Sequence, residues 1–207
     1  MRDLTLAIET AVGGGSIALL ENRQVIDFWI GNREISRAED LLSEISILFA
    51  KNSLNKSDIR NIAYSEGPGS HTGIRIGTAT AKGLKNAWGC NCRAQTVLQS
   101  LTHKSTSLGK VQTAMQTAKN QIYRQVFDRN EKIIQKTVTL PEIVSKEKFF
   151  SEISEDLQTI LLFHDQDIFD LLNVFDKFGE HLSRKIIRVR SDENIAALIG
   201  ITGCGLS

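Results

Sequence analysis

Apolar residues recur along this chain with two different periods, and the change from one to the other marks out its elements. Leu4-Thr5-Leu6-Ala7-Ile8 is apolar at nearly every position, as in a strand buried on both faces. Ser16 to Leu20 and Gln24 to Ile30 read as two further strands joined at Glu21-Asn22-Arg23, and connections this short predict three antiparallel strands. Then the period lengthens. Leu41, Leu42, Ile45, Leu48 and Phe49 recur every three or four residues, which predicts an amphipathic helix from about Ala38 to Lys51. Ile62 to Ser65 is a short strand. It runs into the loop Glu66-Gly67-Pro68-Gly69-Ser70-His71-Thr72-Gly73, and a helical pattern from Ile74 to Trp88 follows, stopped by Gly89. A strand near Cys92 and a helix from Val97 to Lys104 complete this half.

The pattern then restarts. Val111 to Gln116, Ile122 to Asp128 and Lys132 to Val138 read as strands, and Pro141 is placed to open a helix. A strand from Gln158 to Phe163, a helix from Asp167 to Phe178, a strand from Ile186 to Val189 and a helix from Asp192 to Ile199 follow. Three strands, a helix, a strand and a helix therefore occur twice without a close sequence repeat. This predicts two similar α/β lobes, residues 1–105 and 106–207.

Composition narrows the picture. With 207 residues, 41% of them hydrophobic, and only two prolines, a folded core is expected and extensive disorder is not. Asp3 and Glu9 interrupt any signal-like apolar stretch, and runs such as Ile17 to Leu20 and Ile160 to Phe163 fall far short of the ~20 residues a membrane span needs. A soluble, cytoplasmic protein without a membrane partner is the expectation. The net charge of +1 provides no global field to draw the chain onto nucleic acid. That sum hides a segregation, however: residues 67–127 contain eight basic residues and no acid, whereas residues 142–193 hold 12 acids and seven bases.

Candidate chemistry is sparse. Cys90, Cys92 and Cys204 form neither a disulfide framework nor a zinc site, and His71, His103, His164 and His181 are too scattered for a metal-ligand pair. Asp165 and Asp167, like Asp3 and Glu9, have nothing in their spacing to distinguish them from solvated element ends, and Phe163, Phe169, Phe175 and Phe178 read as core. Gly13-Gly14-Gly15-Ser16-Ile17-Ala18 matches a dinucleotide fingerprint formally, but it precedes a strand rather than a helix, so a hairpin turn is expected. Gly67 to Gly73 sets glycines and hydroxyls between a strand end and a helix start. Two readings stand: an anion-facing nest using Gly67, Gly69, Ser70, Thr72, Gly73 and Arg75, or a structural loop in which Ser70 or Thr72 caps the helix. It is not a Walker loop, because Ile74 follows the last glycine. No catalytic residue is assigned.

Taken together, Leu6-Ala7-Ile8-Glu9-Thr10, Ser16-Ile17-Ala18-Leu19, Glu39-Asp40-Leu41-Leu42 and above all Gly67-Pro68-Gly69-Ser70-His71-Thr72-Gly73-Ile74-Arg75-Ile76-Gly77 with Thr80-Ala81-Lys82-Gly83-Leu84 resemble the bacterial TsaB family, also called YeaZ. The likeness covers about the first 105 residues. It implies an ASKHA fold, the actin-like (ribonuclease H-like) pair of lobes, each a mixed sheet with helices. It also implies a non-catalytic partner of TsaD that acts with the ATPase TsaE in forming threonylcarbamoyladenosine beside the anticodon of tRNAs reading ANN codons. The implied partner surface is Leu41, Leu42, Ile45, Leu48, Ile76, Thr80 and Leu84, which would also serve a homodimer, and a charge at Leu42 or Ile45 is expected to break the complex and leave a folded monomer. No cofactor of its own is implied; ATP or ADP with magnesium would enter only in the multi-subunit complex, and tRNA only through it. The chain departs from the family at Glu9, usually Asp; at His71, usually Phe; at Arg37-Ala38, usually His-Ser; and at Thr117-Ala118-Lys119, usually an Asp-Ala-Arg-like turn. The alternatives are a small ASKHA phosphotransferase, for which the second half lacks an adenosine-binding Gly-Gly stretch, or a metallopeptidase-like protein, for which ligands are lacking.

Overall fold

Leu4–Glu9 (β1) is buried at every position because both faces of its sheet are covered. The computed structural model describes residues 4–32, 40–118, 120–130, 135–153, 156–163 and 186–203. The helix expected from Asp167 to Phe178, together with His164, His181, Arg37, Ala38, Lys119 and Cys204, lies outside these residues. The chain divides into two compact units, Met1–Ser100 with Asp192–Ser207, and Leu101–Ser191.

In the first unit, β1 pairs antiparallel with Ser16–Glu21 (β2), which pairs antiparallel with Gln24–Ile30 (β3). On its other side β1 runs parallel to Ile59–Ser65 (β4), and β4 runs parallel to Asn91–Gln95 (β5), giving the order β3-β2-β1-β4-β5. Leu4, Leu6, Ile8, Ile17, Leu19, Ile62 and Tyr64 project to one face, where they meet Leu41, Ile45 and Leu48 of Asp40–Lys51 (α1) and Ala81 of His71–Trp88 (α2). Helix α2 begins three residues before the expected Ile74, because Ser70 accepts the Gly73 N–H and caps it there; Gly89 closes it at φ 66°. Val97–Leu101 (α3) follows β5.

The opposite face is covered by Ile195–Gly203 (α5), whose Gly200 lies against Ala7 and Leu20 and whose Gly203 lies against Ala63. Here the structure differs from an even division at residue 105. The sequence Ile195-Ala196-Ala197-Leu198-Ile199-Gly200 is apolar nearly all round, so it must be buried, and the Ala7, Leu20 and Ala63 face is the apolar surface it covers. The backbone N–H of Ala196 donates to Ser16 Oγ at 3.0 Å, anchoring the helix start to β2.

The second unit repeats the first. Gly109–Ala118 (β6), Gln121–Arg129 (β7) and Gln135–Thr137 (β8) are successive antiparallel strands, while Gln158–Phe163 (β10) runs parallel to β6 and Ile186–Arg190 (β11) parallel to β10. The order β8-β7-β6-β10-β11 matches β3-β2-β1-β4-β5 strand for strand. One insertion breaks the match. Where Pro141 predicts a helix, Glu142–Ser145 (β9) is a strand paired with β7, and the helix Lys146–Ser151 (α4) starts only after Ser145, whose side chain accepts the Lys148 N–H. Ile143 and Val144 sit opposite Tyr123 and Ile122, so β-branched residues at cross-strand positions outweigh the helix-start signal of a proline that an edge strand tolerates at its entry. Arg124 fastens this corner, donating to Glu142 at 2.7 Å and to Glu152 at 2.6 Å.

Candidate functional site

The loop between β4 and α2 is built by its neighbours. Gly69 takes φ +150°, and a side chain there would run into the carbonyl of Ala11; one at Gly73 would run into the carbonyl of Thr10. The β1–β2 turn therefore rests directly on the backbone of the loop and of the helix start, an approach that only glycine permits. Two hydrogen bonds fasten the contact: Ser70 N–H donates to Ala11 O at 2.8 Å, and Thr10 Oγ1 donates to Gly73 O at 2.8 Å. On the other side Val97 N–H donates to Gly67 O at 2.7 Å.

Both readings of the loop can be set against this geometry. Ser70 caps α2, and the N–H groups of Gly67, Ser70, Gly73 and Ile74 all donate within the chain, to Ser65 Oγ, Ala11 O, Ser70 Oγ and Ser70 O. These donors are spent on holding the loop together. Thr72 and Arg75 point outward and are exposed, as is His71.

Glu9 ends β1 and is only 1% exposed. One carboxylate oxygen, Oε1, accepts from the N–H groups of Ala11 at 2.5 Å and Val12 at 3.0 Å, while Oε2 has no hydrogen-bond partner. Burial pushes its carboxyl up to about 8, against the opposing pull of those two N–H groups and the neighbouring Ser65 hydroxyl. An actin-like ATPase would use an acid here to organise magnesium. Magnesium takes oxygen ligands and keeps several waters. A carboxyl turned back onto its own turn and shut away from water does not fit it, and Thr117, near the end of β6 in the second unit, offers a hydroxyl that donates to Gln121 O at 3.4 Å. Among the described residues no three His, Cys, Asp or Glu side chains group as metal ligands.

The seven residues expected at a partner surface divide. Leu41, Ile45 and Leu48 are 4%, 3% and 3% exposed and belong to the core of their own unit, so a charge at Ile45 is a folding change rather than an interface probe. Ile76, Thr80 and Leu84 are half-buried on α2, and Leu42 is 55% exposed. Sequence reasoning missed Ile47, which is 58% exposed. The exposed residues Leu42, Ser43, Ser46, Ile47 and Ala50 give α1 a largely uncharged outer surface, with the half-buried Glu44 beside it and the exposed Lys51 at its end. On α2 Gly83 is exposed, and a Cβ there would meet open space. A glycine inside a helix costs about 0.5–1 kcal/mol relative to alanine, and among the described residues nothing stands close enough to Gly83 to require one.

Two sheets with the same strand order, each carrying three antiparallel strands and then two parallel ones, define an actin-like pair of α/β lobes. Solved structures agree: YeaZ from Pseudomonas aeruginosa superposes with a TM-score of 0.67 at 17% identity, over 96% of this chain and 91% of that one. Component A of (R)-2-hydroxyglutaryl-CoA dehydratase from Acidaminococcus fermentans gives 0.53 at 9% identity, over 97% and 96%. Residues 35–138, half of the chain, match the family described as TsaD: tRNA N6-adenosine threonylcarbamoyltransferase. The tRNA threonylcarbamoyladenosine biosynthesis protein TsaB of Escherichia coli strain K12 is 36% identical over 80 residues, 38% of this chain and 34% of that protein. The chain belongs to this family, and within it the likeness is to TsaB (YeaZ). The aligned part spans about a third of the Escherichia coli protein.

Proposed function

We propose that this protein takes part in making threonylcarbamoyladenosine in tRNAs reading ANN codons, as a non-catalytic cytoplasmic subunit that binds and activates TsaD together with the ATPase TsaE. The observation that carries the reading is the pair of outward helix surfaces. Helix α1 presents Leu42 and Ile47 beside Ser43, Ser46 and Ala50, and α2 presents Gly83 with no described residue near enough to require a glycine there. Small and apolar outer positions let a second pair of helices approach closely, as in a four-helix contact. The same surface would serve a homodimer in the absence of TsaD. The spent loop donors and the enclosed Glu9 support a chain that holds no magnesium nucleotide on its own, leaving ATP or ADP to the assembled complex and tRNA to contacts made through it. They count against the phosphotransferase alternative.

The test is copurification with TsaD by size-exclusion chromatography, using wild type, Leu42→Asp and Gly83→Leu. Wild type should co-elute while both variants elute as folded, separate proteins. Co-elution of both variants, or separation of the wild type, sinks the reading.

A further inference from the structure

The carboxyl of Glu9 is among the most enclosed polar groups in the first unit, and its bonds lead to one place. Oε1 holds the N–H groups of Ala11 and Val12, which fixes the β1–β2 turn. That turn is the surface on which α2 begins: Ala11 O accepts from Ser70 N–H, Thr10 Oγ1 donates to Gly73 O, and Gly69, Gly73 and Gly77 leave room for Ala11 and Thr10 where a Cβ would collide with them. We infer that Glu9 is a positioning residue for α2: by holding the turn it fixes the first two turns of that helix, and with them the surface offered to the partner. The second part rests on the partner role proposed above; the first does not.

Backbone exchange separates the two. Amide hydrogen exchange, followed by mass spectrometry on the full chain, reads the helix start without any partner. Glu9→Ala removes the acceptor. Thr10→Val removes one of the two bonds from turn to helix and leaves Glu9 in place. Each should speed exchange at Gly73 to Gly77 at least tenfold while leaving β1 and β4 unchanged, and each should weaken TsaD binding at least tenfold. Glu9→Gln keeps an oxygen for the same two N–H groups and should match wild type in both measurements. Wild-type exchange at Gly73 to Gly77 in a folded Glu9→Ala chain, or a uniform rise across β1, β4 and α2, overturns the positioning role. If Glu9→Ala does not fold, Glu9→Leu, which fills the same enclosed space without an acceptor for the two N–H groups, decides it: faster exchange at Gly73 to Gly77 supports the role and unchanged exchange overturns it. Faster exchange with unchanged TsaD affinity overturns the second part alone, and a wild-type chain that does not bind TsaD overturns the partner reading while leaving the exchange result to stand.

Discussion

Glu9 makes the stability of this protein depend on pH in a direction opposite to that of an ordinary paired carboxylate. In the folded chain burial holds its carboxyl protonated up to about 8, whereas once unfolded it should ionise near 4.5. Between those values the folded state keeps a proton that the unfolded state has released, so stability falls as pH rises. The contribution is fully present below the lower value and gone above the upper one. Each pH unit inside the window is worth about 1.4 kcal/mol, so the whole window amounts to roughly 4–5 kcal/mol, a large part of the ~5–15 kcal/mol that stabilises a typical domain. Glu9→Gln cannot titrate. Urea unfolding of wild type and Glu9→Gln, followed by circular dichroism at fixed ionic strength in unit steps from about pH 5 to pH 9, isolates the effect, because every other group titrates in both proteins. The stability of Glu9→Gln relative to wild type should rise by about 1.4 kcal/mol per unit until about pH 8 and then level off. Parallel curves across the range would mean that Glu9 is already ionised in the fold, and the enclosed, neutral carboxyl would have to be abandoned.

Further tests bear on other parts of the molecule. Ile45→Asp buries a charge in the first core and should cost about 4 kcal/mol or more, whereas Leu42→Asp on the same helix should stay within about 0.5 kcal/mol; equal midpoints in urea would contradict the burial described. Gly73→Ala places a methyl against the Thr10 carbonyl and should cost about 1–3 kcal/mol by the same measurement, with no loss if the turn can simply move aside. Gly83→Ala should do the reverse, raising the stability of the isolated chain by about 0.5–1 kcal/mol, and a lower melting temperature would show that the glycine serves its own fold. Arg124→Ala should cost about 1–2 kcal/mol, because its two carboxylate partners are half-exposed; an unchanged urea midpoint would show that the corner needs no ionic fastening.

Much of the fold is legible in the sequence because its strands and helices have clean periods. The run from Leu4 to Ile8 and the repeat through Leu41, Ile45 and Leu48 each admit one burial pattern, and strand order follows once the element series is seen to occur twice. The places that misled have identifiable causes. Pro141 is equally at home at a helix start or before an edge strand, and only pairing of Ile143 and Val144 with β7 decides between them. The return of Ile195–Gly203 to the first sheet is a long-range choice that no local pattern encodes. At the candidate site, apolar spacing identified α1 but could not say which apolar residues face outward: Leu41 and Leu42 are adjacent, and one is core while the other is exposed. Glu9 reads as one acid among many, since its meaning lies in the two N–H groups of its own turn.

The return of α5 also bears on how the protein is made. A ribosome delivers β1 to β5 first, but the face formed by Ala7, Leu20 and Ala63 stays without its cover until Ile195–Gly203 emerges. The first unit thus cannot complete itself during synthesis, however early its strands pair, and it must wait with an apolar face open while the whole second unit is translated. A chain cut short before Ile195 would keep that face, so premature termination or C-terminal clipping should yield an aggregating or degraded product rather than a working first lobe.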